Sequence, residues 1–247
     1  MKRKFKIILT FLFAISTISC SSENETNAPT KTIVPPVTIT PPLTAKTINY
    51  LALGDSYTIG QSVCETCRFP EQLRRNLSST YPATSFSLKI IAKTGWTTSN
   101  LLSAIKAENP DSNYDLVTLL IGVNNQFQNA SFTLYENEFP QLVNNAISLA
   151  KGKKSNVIVV SIPDYAYTPF GQSAVYNSKT ISSEIDKYNA FAENYCKANN
   201  IEFITITDIT RQGLSNPSLV AQDGLHPSES AYSLFVQRIL PKVKFQE

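Results

Sequence analysis

Short apolar runs rich in β-branched residues alternate with longer stretches of helical periodicity along most of this chain. Residues 48–53, 85–92, 116–121, 157–162 and 202–205 read as strands. Phe139, Leu142, Val143, Ala146, Ile147 and Ala150 recur at the spacing of one apolar helix face. A second such face is marked by Ile181, Ile185, Tyr188, Ala192 and Tyr195, and a last one by Tyr232, Phe235, Val236, Ile239 and Leu240. The run 116–121 is apolar on both faces, which suits a parallel strand covered on both sides by helices. The pattern predicts an α/β domain: a three-layer α/β/α sandwich around a central, mainly parallel five-stranded sheet. At close to 200 residues, 47–247 is the right size for one domain with a sizeable core.

The first forty-odd residues break this pattern. Lys2, Arg3, Lys4 and Lys6 precede an apolar stretch, 7–18, shorter than the about 20 residues that span a bilayer. Residues 1–19 therefore read as a signal peptide. The stretch ends at Thr17-Ile18-Ser19-Cys20, which resembles a bacterial lipobox with Cys20 as the lipidated residue, although Thr17 stands where an aliphatic side chain is more usual. The alternative is ordinary cleavage near Ser19, leaving Cys20 free. Residues 20–46 are rich in Ser, Thr, Asn and Pro, with too few large apolar side chains for a core, and read as a disordered linker. Glu23 and Glu25, just after the cysteine, resemble a surface-export signal of bacterial lipoproteins. The expected location is thus the outer membrane or cell surface, with the periplasmic face as the alternative, and the expected partner is a membrane reached through the lipid anchor.

Removing the leader also changes the charge. Four of the 22 basic residues lie in it and none of the 19 acidic ones, so 18 against 19 leaves a net charge of −1 rather than the +3 of the full chain. A nucleic-acid partner loses its compositional support.

Ligands of open parallel sheets bind beyond the carboxyl ends of the strands, and the distinctive short motifs fall there. Gly54-Asp55-Ser56 ends the first strand, Thr94-Gly95-Trp96 follows the second, Gly122-Val123-Asn124-Asn125 ends the third, and Asp223-Gly224-Leu225-His226-Pro227 precedes the final helix. His226 is the only histidine of the chain. Taken singly, each motif has a plain structural reading: Ser56 as a helix cap, Asn124 and Asn125 as a turn pair, Gly95 as a hinge, Asp223-Gly224 as a turn. Taken together they supply a hydroxyl, one imidazole to take its proton and one carboxylate to orient that imidazole.

Over its whole globular part the sequence resembles the SGNH, or GDSL, hydrolases. The GDS block matches Gly54-Asp55-Ser56, the second-block glycine matches Gly95, the G-x-N-D block matches Gly122-Val123-Asn124 with Asn125 in place of the usual aspartate, and the D-x-x-H block matches Asp223 and His226. Thr58, two residues after Ser56, argues against the nucleophile elbow of α/β-hydrolases. The resemblance implies a flavodoxin-like SGNH hydrolase fold with Ser56 as nucleophile, His226 as general base and Asp223 as its orienting carboxylate. It also implies an oxyanion hole made of the Ser56 and Gly95 N–H groups and the Asn124 amide. Pro227 is expected at the first position of the last helix, where its missing N–H costs nothing.

Of the remaining cysteines, Cys64 and Cys67 lie just after the nucleophile, where a short-range disulfide suits an exported chain, a redox-active pair being the alternative. Cys196 reads as a buried free thiol. Tyr57, Trp96, Val123, Gln126 and Tyr165 flank the motifs or follow the fourth strand and are candidate substrate-binding residues, unless several of them simply pack the lip of the sheet. No metal, nucleotide or organic cofactor is expected, and the domain is expected to be a monomer. The function that follows is a serine esterase acting through an acyl-enzyme on short acyl esters, such as acetyl groups on carbohydrates or small molecules. Alternatives are a lysophospholipase or thioesterase acting on longer chains, and a non-catalytic protein that binds carbohydrate or a partner.

Overall fold

The computed structural model describes residues 46–245. The expected leader, the lipidation site Cys20 and residues 20–45 of the expected linker lie outside the described residues. Lys46, read from sequence as the last linker residue, already pairs with Thr84 as the first residue of β1.

Five strands, β1 (Lys46–Gly54), β2 (Thr84–Ala92), β3 (Leu116–Leu120), β4 (Val157–Val160) and β5 (Glu202–Ile204), form one sheet in the order β2-β1-β3-β4-β5. Every pairing is parallel. The expected sandwich is therefore the observed one, and the sheet is wholly rather than mainly parallel.

Parallel neighbours need crossover connections, and the helices that supply them cover both faces. Helices α2 (Phe69–Thr80) and α8 (Glu229–Ile239) pack together on one side, while α3 (Thr98–Glu108), α5 (Phe132–Leu149) and α6 (Ser178–Asn199) pack on the other. Short helices α1 (Ser56–Ile59), α4 (Val123–Phe127) and α7 (Thr207–Thr210) follow β1, β3 and β5. β3 is buried at every residue, as its two-faced apolar pattern requires. Its one polar member, Thr118, shares a 2.9 Å hydrogen bond with the Tyr50 hydroxyl of β1.

Two helix boundaries differ from the sequence pattern. The face that begins at Phe139 belongs to a helix that starts at Phe132 and runs through Pro140, with Tyr135 buried on the same stripe and Ser131 capping it. At the other end of the chain, Pro227 is not the first residue of α8. Ser228 is the cap, its hydroxyl accepting from the Ala231 N–H, while Pro227 pairs with Val220 in an isolated antiparallel bridge. A serine offers the helix end an acceptor that proline lacks, so the start moves past the proline.

β1 lies inside the sheet, flanked by β2 and β3, and the strand order reverses on its two sides. Such a switch point opens a crevice at the carboxyl edge. The close approach of backbones there is tight at Gly54, where a Cβ would lie 2.1 Å from Thr58 Oγ1 and 2.4 Å from the Leu120 carbonyl oxygen. Because Leu120 is the strand partner of Gly54, the carbonyl cannot retreat without breaking register. Gly54→Ala is expected to destabilise the fold by about 3 kcal/mol or more, read as a lowered urea midpoint. Adding Thr58→Ala should recover only part of that loss, since the Leu120 clash remains.

Candidate active site

The candidate nucleophile is set by a four-residue helix. Asp55 caps α1: one carboxylate oxygen accepts from the Tyr57 N–H at 3.0 Å and its carbonyl accepts from Ile59 N at 3.0 Å. Ser56 is therefore the first helical residue, directly beyond the edge of β1. It is buried to 3 % exposure, and its hydroxyl has no hydrogen-bond partner among the described residues. His226 lines the same cavity as Ser56, without a hydrogen bond between them. Catalytic hydrogen bonds commonly tighten only when substrate is bound.

The imidazole and its carboxylate come from one turn. Gly224 N donates to Ala221 O and Ala221 N to His226 O, closing a tight hairpin next to the Val220–Pro227 bridge. Asp223 Oδ2 lies 2.6 Å from His226 Nδ1. Asp223 Oδ1 accepts from the backbone N–H groups of Leu225 (2.9 Å) and His226 (3.0 Å), so the three-residue spacing folds the carboxylate back onto its own loop. A fourth donor, the Ser62 hydroxyl, reaches Oδ2 at 2.6 Å. Partial burial pushes the Asp223 pKa up, but the Ser62 hydroxyl, the His226 ring and the two N–H groups outweigh it and hold it at about 2. The Tyr57 ring packs against the imidazole with centroids 5.1 Å apart.

Gly95 adopts φ +83°, a backbone conformation that favours glycine, on the rim of the same cavity. Gln128 holds its carbonyl through a 2.8 Å hydrogen bond. The Asn124 amide, from the start of α4, donates to the Trp96 carbonyl at 3.1 Å and towards Asp55 Oδ2 at 3.4 Å. Ser56, Gly95 and Asn124 thus border one space, the arrangement that three oxyanion donors require. Asn125, where the aspartate is usual, points elsewhere. It is fully buried, accepts from Thr98 N at 3.0 Å and donates to Thr98 Oγ1 at 2.7 Å, and the Thr98 hydroxyl in turn donates to Glu138. The side chain fastens the start of α3 rather than entering the cavity.

The cavity holds about 180 Å³ and is lined by Ser56, Gly95, Asn124 and His226 together with Tyr57, Val123 and Tyr165. Three further wall residues, Thr94, Phe127 and Leu225, were not among the sequence candidates. Two of the candidates are not part of this wall. Gln126 is turned away: its amide oxygen accepts from the Tyr165 hydroxyl at 2.8 Å and its nitrogen donates to Glu184 at 2.7 Å. Trp96 packs partly buried against the core and offers the site only its carbonyl. Both flank motif residues in sequence, but a turn after β2 and the short helix α4 carry their side chains away from the cavity. Tyr165 is held by its own turn, where buried Asp164 accepts from Ala166 N, Ser182 Oγ and Arg211 Nε.

Cys64 and Cys67 are joined by a disulfide, and Cys196 is free and buried, with burial pushing its thiol up to about 12. Among the described residues no three His, Cys, Asp or Glu side chains are grouped as a metal site requires.

A doubly wound parallel sheet that brings a serine, a carboxylate-bound imidazole and an asparagine amide to one cavity at its switch point has the make-up of a serine ester hydrolase. The sequence profile of the GDSL-like lipase/acylhydrolase family matches residues 52–234, and the chain belongs to that family. No curated protein sequence matches it. Solved structures of similar fold include a member of the lipolytic protein G-D-S-L family from Veillonella parvula (TM-score 0.60, 16 % identity, covering 78 % of this chain and 97 % of that one). The lipase/acylhydrolase from Enterococcus faecalis is similar at TM-score 0.57 and 18 % identity, covering 81 % and 99 %. The acetylxylan esterase Axe2 from Geobacillus stearothermophilus is similar at TM-score 0.55 and 17 % identity, covering 82 % and 97 %.

Asp55 makes the site's environment measurable. Full burial raises its pKa to about 7 against the opposing hydrogen bonds from Tyr57 N and Asn124. The folded protein then holds this proton more tightly than the unfolded chain, so the associated stability is complete below about pH 4 and is lost as pH rises through 7. Between pH 4 and 7 the wild type should lose up to ~4 kcal/mol of unfolding free energy from this one group. Urea titrations at several pH values check this: the slope should flatten in Asp55→Asn.

Proposed function

We propose that the protein is a serine esterase that removes short acyl groups, such as acetyl, from carbohydrates or small molecules, using Ser56, His226 and Asp223. In the proposed cycle the Ser56 hydroxyl oxygen attacks the ester carbonyl while His226 Nε2 takes its proton. The alcohol then leaves with that proton, and water repeats the attack on the acyl-enzyme with the same base. Asp223 keeps the Nδ1 proton in place throughout, and the N–H groups of Ser56 and Gly95 with the Asn124 amide hold the developing oxyanion. For Asn124 this means exchanging the Trp96 carbonyl for substrate.

The observation that carries the short-acyl reading is the size of the cavity. Its 180 Å³ lies below the roughly 300–1,000 Å³ of pockets that enclose larger ligands. The fold is shared with a protein described as an acetylxylan esterase, which supports a carbohydrate ester as substrate. One observation favours the longer-chain alternative: the wall made by Val123, Phe127, Tyr165 and Leu225 is apolar, and Phe127 continues outward into a cluster with Phe170 and Tyr176.

We further propose that the domain is exported and carried on lipidated Cys20 at the outer membrane or cell surface. The Cys64–Cys67 disulfide fits an oxidising compartment, and the basic and apolar segments of residues 1–18 supply the leader.

Fluorophosphonate treatment should add one phosphonyl group to the wild-type protein and none to Ser56→Ala, as read by intact mass. An unlabelled folded wild type sinks the enzymatic assignment of Ser56. On a p-nitrophenyl ester series, rates should be highest for acetate and fall with chain length; a rise towards long chains selects the alternative. Asn124→Ala should lower kcat by about a hundredfold or more, in line with the loss of one oxyanion donor.

A further inference from the structure

We propose that Ser62 is a positioning residue for the candidate acid–base pair, pinning the Asp223 carboxylate from outside its own loop. The inference rests on the catalytic assignment of Ser56, His226 and Asp223 given above. Both oxygens of that carboxylate carry two hydrogen bonds, and three of the four come from the segment Asp223 itself belongs to: Leu225 N and His226 N on Oδ1, and His226 Nδ1 on Oδ2. The Ser62 hydroxyl is the one donor from another part of the chain among the described residues, at 2.6 Å. Without it, the carboxylate and the imidazole it orients move only as the 221–227 turn moves.

The backbone around Ser62 is arranged for this contact. Ser62 itself has φ +67°, a left-handed conformation that a non-glycine residue adopts only when its surroundings enforce it. On one side Gln61 N donates to the Ser56 carbonyl at 3.0 Å, and the Gln61 side-chain oxygen accepts from Thr94 Oγ1 at 2.7 Å. Two adjacent residues therefore touch the nucleophile turn, the segment leading into Gly95, and the orienting carboxylate. On the other side Val63 N bonds the Gly60 carbonyl, the Cys64–Cys67 disulfide closes the next turn, and Gln72 and Arg75 of α2 hold the Cys67 and Thr66 carbonyls. The segment is thus exposed yet tied at both ends.

In the proposed proton transfer, Ser62 neither gains nor loses a proton. It donates to the oxygen that also faces His226 Nδ1, and so limits rotation of the carboxylate while the imidazole takes the Ser56 proton. Removing the hydroxyl should slow the chemical step and leave the cavity wall, and hence substrate binding, unchanged, because Ser62 does not line it.

The discriminating substitution is Ser62→Gly, since glycine suits a positive φ better than serine and removes the hydroxyl donor. Its melting temperature is expected to stay within a few degrees of that of wild type, the relieved positive φ offsetting part of the lost hydrogen bond. Its kcat on p-nitrophenyl acetate and its rate of fluorophosphonate labelling should fall by about three- to tenfold, less than the full worth of a hydrogen bond to a charged group because water can reach the site. KM should not change. Ser62→Asn tolerates the same backbone and brings an N–H donor, so it should recover part of the lost rate. A Ser62→Gly protein that reacts at the wild-type rate overturns the proposal. So does a loss accompanied by a raised KM, or a Ser62→Asn protein no faster than Ser62→Gly. If wild-type protein itself is not labelled, the catalytic assignment fails first and this inference falls with it.

Discussion

Every group of the site depends on the parallel registration of β1 with the strands on either side of it. Ala52 stands opposite both Ile90 and Thr118, and Gly54 opposite both Ala92 and Leu120, so three strands end level with one another. The hydrogen bond between Tyr50 and Thr118 ties β1 to β3 inside an otherwise apolar layer. A slip of one residue would turn every side chain of β1 to the opposite face and leave those two hydroxyls buried without each other. With the strands level, the loops that follow β1, β2 and β3 arrive at one crevice, and Ser56, Gly95 and Asn124 need no long excursions to meet. Only the 223–226 turn has to be brought from elsewhere, and α8, packed against α2, carries it there.

The two carboxyl groups beside Ser56 show how one site can hold opposite proton affinities. Asp55 is sealed beneath the nucleophile turn, and burial outweighs its hydrogen bonds. Asp223 lies nearer the surface with four donors, and there the hydrogen bonds outweigh burial. The difference suits the division of labour: a standing negative charge belongs next to an imidazole that becomes cationic, whereas a charge next to Asn124 would oppose an oxyanion held by that amide. Environment rather than residue type sets each role.

Much of this could be read from the chain alone, and the failures have physical causes. The five strands were legible because each is buried on both faces or carries β-branched runs, and the four motifs were legible because each sits where a run stops. Helix α5 was only half visible: Pro140 interrupts the pattern in print, yet one missing N–H is tolerated within an 18-residue helix packed on β3, α3 and α6. Pro227 misled for a related reason, since Ser228 beside it can supply the acceptor that a helix start needs. Gln126 and Trp96 flank the right motifs but face away from the cavity, and Phe127 and Leu225 face in; a short helix and a turn decide this, and neither has a periodicity to read. Ser62 carried no signal because its partner is 161 residues away.

The replacement of the usual aspartate by Asn125 is bound up with Glu138. The Thr98 hydroxyl has a single proton and gives it to Glu138, so its oxygen can only accept from residue 125, and an amide nitrogen can provide that where a carboxylate cannot. An aspartate at 125 would offer Thr98 Oγ1 no proton, whereas Glu138 keeps the Ser99 hydroxyl as a second donor. The amide thus lets one threonine tie the start of α3 to both α4 and α5 without setting a second carboxylate beside it.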